Sequence, residues 1–127
     1  MDPIAKAAAG TQASQSDWTA LKASAGAGEL FFEPGAAEEC AKACEDAIAK
    51  IDDHLMQARR LTYVDGFGSP SEGQQLAAKF RAKADEAYAV LQAHQHVLAD
   101  MRDTYRAAGN AYVDADAGNS GKFGSLG

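Results

Sequence analysis

Two apolar seams separated by a helix-breaking segment constrain this chain more than any other feature. Cys40, Cys44, Ile48, Ile51, Leu55, Ala58 and Thr62 recur at alternating steps of four and three, which keeps one helix face apolar over successive turns. A longer seam runs from Leu76 through Phe80, Ala84, Ala87, Leu91, His94, Leu98, Met101, Tyr105 and Ala108 to Tyr112, and Val90, Val97 and Thr104 widen it on one side. Between the seams, Val64-Asp-Gly-Phe-Gly-Ser-Pro70 sets two glycines and a proline within seven residues, and no helix passes easily through such a segment. The expected fold is all-α, an antiparallel two-helix hairpin of coiled-coil type with helices over about 35–63 and 71–116 and a turn over 64–70. Gly66, Phe67 and Gly68 form its tip.

The flanks carry weaker signals. Residues 1–30 are rich in Ala, Gly, Ser and Gln, and Trp18 and Leu21 mark one short helical pattern near 16–23, so this arm is expected to be mostly flexible. Leu30-Phe-Phe-Glu-Pro34 reads as the entrance to the first hairpin helix, with proline in the first turn and the phenylalanines stapling the incoming chain. Ser69 or Ser71 can cap the second helix. Gly73 and Gly109 weaken that helix, each by about 1 kcal/mol relative to alanine. Residues 117–127 have four glycines and no periodicity, which predicts a flexible tail.

Lengths matter next. Helices of about 29 and 46 residues span roughly 43 and 69 Å, so a tight turn leaves the second overhanging the first from about Met101 onward. Met101, Tyr105, Ala108 and Tyr112 continue the stripe there, and a bare apolar stripe is expected to bind something. Two covers are open. Trp18, Leu21, Phe31 and Phe32 of the arm can fold over it, or a second polypeptide can take it and complete a four-helix bundle.

Charge and chemistry exclude several classes. Twelve basic against eighteen acidic residues give a net charge of −6, with no lysine or arginine run to follow a phosphate backbone or an anionic membrane. No apolar stretch reaches membrane-spanning length, and Met1–Gly10 lacks the basic start and leucine-rich run of a cleaved leader. The expectation is a soluble protein made in the cytoplasm. Cys40 and Cys44 share a helix face and read as small buried hydrophobes, since a lone Cys-x-x-x-Cys pair is a poor zinc site and a bridge along one turn strains the helix. His94 and His96 point different ways, and His54 lies off the seam. With no phosphate-cradling loop and no exposed nucleophile pattern, neither enzymatic activity nor a metal or cofactor is expected.

One spacing remains. Of the four tyrosines only Tyr112 has an acidic residue four places on, Asp116, so ring and carboxylate share a face at the end of the seam. The run Leu98-Ala-Asp-Met-Arg-Asp-Thr-Tyr-Arg-Ala-Ala-Gly-Asn-Ala-Tyr112-Val-Asp-Ala-Asp116, the entrance Phe31-Phe-Glu-Pro34 and the glycine-rich tip resemble the small helical-hairpin proteins of the type VII (ESX) secretion systems of actinobacteria, related to the Trp-x-Gly family. The resemblance covers about Phe31 to Asp116. It implies a Tyr-x-x-x-Asp secretion signal at Tyr112 and Asp116, a similar helical hairpin as homo- or hetero-oligomeric partner, recognition by the secretion ATPase, and export without a cleaved leader. The tip departs from the family, because Gly66-Phe67-Gly68-Ser69 has phenylalanine where the turn motif has tryptophan. The competing expectation is an intracellular coiled-coil adaptor or chaperone-like module whose stripe binds an unrelated helical partner or toxin.

Overall fold

The computed structural model describes residues 2–61 and 70–126. They form three helices, α1 (Pro3–Gly26), α2 (Pro34–Leu61) and α3 (Pro70–Leu126), with no strand among them. The all-helical class expected from the seams is the one observed. Each of the chain's three prolines opens a helix, where its fixed φ suits the first turn and its missing N–H would have no partner anyway. The tip residues Gly66, Phe67 and Gly68, with Thr62, lie outside the described residues.

The entrance to α2 is built as its sequence implies. The Glu33 carboxylate accepts the N–H groups of Gly35 at 2.9 Å and Ala36 at 2.8 Å, satisfying two of the amides that a helix start leaves over. Those two bonds hold the Glu33 carboxyl below its ordinary pKa. Of the seam, Cys44, Leu55 and Ala58 are buried and Cys40, Ile48 and Ile51 half-buried, and the buried row begins at Ala37 and Ala41, which the sequence pattern does not single out. Both cysteines are free, Cys44 buried and Cys40 half-buried, as small hydrophobes would be.

α3 is the spine of the molecule. Arg106 meets Glu38 at 3.1 Å, Gln95 donates to the Ile48 carbonyl at 3.1 Å, and Arg59 reaches the Tyr88 hydroxyl at 3.4 Å. Residue numbers fall along α3 as they rise along α2, so these two helices run antiparallel. α1 runs the other way: Lys83 meets Asp2 at 3.3 Å, and Lys22 meets Asp100 and Asp103 at 3.5 Å. α1 and α2 nowhere bring Cα atoms within 8 Å of each other among the described residues. Both lean on α3 from different flanks.

The register differs from the one a tight turn would impose. Pairing 63 with 71 would leave Met101 and everything beyond it uncovered, whereas the observed partners slide α2 by roughly ten residues, about 15 Å, toward the far end of α3. Gly109 permits this. A Cβ there would stand 3.0 Å from the Ala37 Cβ, so glycine sets how closely the two helices approach. Because a heptad-like stripe looks the same after a shift of one or two repeats, the seams fix the facing sides and leave the offset to contacts such as this one.

Both flanks are more helical than their composition suggests. α1 is continuous over Pro3–Gly26 rather than a short helix near 16–23, since alanine costs nothing in a helix and no proline interrupts. It ends in a Schellman arrangement, with the Glu29 N–H on the Ser24 carbonyl, the Gly28 N–H on the Ala25 carbonyl, and Gly28 at φ 76°. The helix stop expected at Asp116, with a flexible 117–127 tail, is not where α3 ends, because the backbone stays helical to Leu126. Glycine taxes a helix by about 1 kcal/mol but does not remove a hydrogen bond as proline does.

Candidate functional site

The four residues read as a bare stripe have different surroundings. Ala108 is fully buried, Met101 and Tyr105 are half-buried, and Tyr112 is 43 % exposed. Tyr105 is the hub of the cover. The Trp18 ring lies 5.7 Å from it in a tilted contact, and the Phe32 ring lies 5.4 Å away edge-on, geometries that aromatic quadrupoles favour. Burial, reinforced by the nearby Cys40 and Cys44, pushes the Tyr105 phenol above its usual pKa and keeps it neutral. Of the two covers left open for the stripe, the one seen at Tyr105 and Ala108 is the arm and the α1–α2 connection of the same chain.

The connection is also tied down by backbone. The Phe32 N–H donates to the Ala108 carbonyl at 3.1 Å, one turn before Tyr112. On the α2 side, Arg106 bridges Glu38 at 3.1 Å and Glu45 at 2.7 Å. Its guanidinium holds the Glu38 carboxyl below the ordinary value. On the α1 side, Asp100 accepts from Gln15 and pairs with Lys22.

Tyr112 and Asp116 thus stand one turn apart on α3, at and beyond the level of Pro34, the first residue of α2. Both are exposed, as is every residue from Tyr112 to Gly118. They sit inside a helix rather than at its end, so ring and carboxylate project from a rigid rod. No membrane-length apolar helix and no group of three or more potential metal ligands occurs among the described residues.

Several residues that shape this end escaped the sequence reading. Arg106, Asp100 and Lys22 hold the three helices in register, yet charged residues on helix surfaces look alike in sequence. Thr104 is 1 % exposed and donates its hydroxyl to the Asp100 carbonyl at 2.6 Å. One signal was available: Val90, Val97 and Thr104 widen the seam, and Val90 and Val97 line the grooves on either side of α1. The widened side is the α1 side.

No protein-family model matches the chain, and no curated protein or solved structure is significantly similar to it.

Proposed function

We propose that the chain is a substrate or export partner of a type VII (ESX) secretion system, with Tyr112 and Asp116 as its docking signal for the secretion ATPase. One observation carries the reading: this aromatic and this carboxylate are exposed together on one face of a helix that projects past the start of α2. A rigid helical face lets a receptor read a ring and a charge at fixed separation. The α2–α3 pair would act as a helical hairpin and join a similar hairpin in a four-helix bundle, with itself or another chain.

Exposed apolar side chains favour association: Met56, Leu76, Phe31 and Val113 are each half exposed or more, and apolar surface of this kind is what a partner helix covers.

Export and docking are tested together by replacing Tyr112 or Asp116 with alanine and comparing culture filtrate with cell lysate. Loss from the filtrate at normal cellular levels is expected. If the unaltered protein never leaves the cell, the export reading fails, and an intracellular adaptor binding an unrelated helix or toxin takes its place.

A further inference from the structure

Where α3 emerges from between its two neighbours, the surface has a single chemical character. Phe31, 50 % exposed, lines a hollow with Ala111, Asp114 and Ala115 at the end of α1. Val113, also 50 % exposed, lines a second hollow with Pro34 on the α2 side. Successive residues turn by about 100° around a helix, so Tyr112 stands between these two directions. An apolar collar therefore runs part of the way round the emerging helix.

The charges around the collar all have one sign. Residues 23–37 and 107–118 contain Glu29, Glu33, Asp114 and Asp116 and no lysine or arginine, in a chain whose net charge is −6. Nearby cations are already engaged, Lys22 with Asp100 and Asp103, and Arg106 with Glu38 and Glu45. Glu33 caps α2, while the carboxylates of Glu29, Asp114 and Asp116 have no cation among the described residues. A purely apolar partner would bury these carboxylates uncompensated, and an acidic one would be repelled. A segment with an apolar row flanked by lysine or arginine satisfies ring and charge together.

We propose that the collar is a composite docking surface whose occupant is a basic amphipathic helix of another protein. Its apolar row lies between Phe31 and Tyr112, and cations on its two flanks meet Glu29 and Asp114 on the Phe31 side and Asp116 on the Tyr112 side. This rests on Tyr112 and Asp116 being a docking signal, and it adds the α1–α2 connection to what is recognised. Since Glu29 and Phe31 are placed by the docking of α1 and by the Phe32–Ala108 backbone bond, recognition requires the arm to be folded onto α3.

The test uses the intact protein and two helical peptides of roughly 20 residues, long enough to hold a helix, one a leucine–lysine heptad sequence and the other leucine–glutamate. Trp18, the sole tryptophan, reports binding by fluorescence because it shares Tyr105 with Phe32. The lysine peptide is expected to bind one to one, and Phe31→Ser, or Asp114→Asn with Asp116→Asn, to weaken it at least about tenfold. Met56→Ser, far along α2, is expected to leave binding unchanged, and circular dichroism checks that each variant keeps its helicity. Equal binding by the collar variants, equal binding of the glutamate peptide, or no binding of either peptide overturns the proposal. Export of the same variants separates the two ideas: lost export without peptide binding sinks the collar alone, and lost binding with normal export sinks the secretion reading.

Discussion

α2 and α1 share one spine and are held to it by different physics. α2 presents a continuous apolar face, burying Ala37, Ala41, Cys44, Leu55 and Ala58, and its polar links to α3 lie outside that row. Along α1 only Thr11 and Ala25 are buried, and much of the contact is Trp18 on Tyr105 together with charged side chains at both ends. Burial is insensitive to salt, and exposed ion pairs are not. The comparison teaches that helicity and attachment are separate properties, since α1 is fully helical yet lightly fastened.

The largest effect expected from breaking this asymmetry is at Leu55. Leu55→Ala should cost about 3 kcal/mol through lost burial and a residual cavity, read as a lower urea midpoint. A cost below about 1 kcal/mol would mean that burial is not what holds α2. Trp18→Ala should come next, at about 2 kcal/mol for a half-buried ring. Its signature is local, with faster amide exchange in α1 while α2 amides keep their protection. Gly109→Ala gains about 1 kcal/mol of helix propensity but forces Ala37 away, for a net loss near 1 kcal/mol; adding Ala37→Gly should restore stability, and a double variant no better than the single one would contradict the close-approach account.

Two solution conditions give smaller effects. Raising salt from 0.1 to 1 M shortens the screening length from about 10 to about 3 Å, so protection in α1 should fall several-fold more than in α2. Acid acts on α2 instead. The Glu33 and Glu38 carboxyls titrate below their ordinary value of 4.5 when folded, so their support is complete above that value and is lost as pH falls through the lowered folded pKa. Protection of the 35–37 amides, measured against intrinsic exchange at each pH, should therefore fall in acid, and Glu33→Ala should flatten that dependence.

These contrasts also explain what could be read in advance. The α2 seam is legible from Cys44 onward because cysteine, isoleucine and leucine at three-and-four spacing turn one face inward, and Pro34 marks the helix start, while the buried Ala37 and Ala41 look like any alanine. α1 was not, because alanine, glycine, serine and glutamine carry no stripe, and the residues it docks against, Val90, Val97 and Tyr105 among them, lie on α3. The register was illegible for a different reason: Gly109 looks like a weak point in a helix until Ala37 is set against it. At the candidate site the Tyr112–Asp116 spacing could be read directly, whereas the covering of Tyr105 by Trp18 and Phe32 was only one of two open outcomes.

The shared spine has a consequence for how the chain is made. Residues of α2 find their partners between Tyr88 and Gly109, and α1 finds its own some eighty positions downstream, as Asp2 does at Lys83. Synthesis at roughly 5–20 residues per second therefore leaves the seam of α2 waiting several seconds for a surface to close against. Until Tyr88 and the residues after it have left the ribosome, α2 has no surface to close against and its stripe stays unpaired. A nascent chain of this design depends on a segment made well after the stripe it closes against, and anything that holds the waiting stripe during those seconds acts on the protein before α2 is seated.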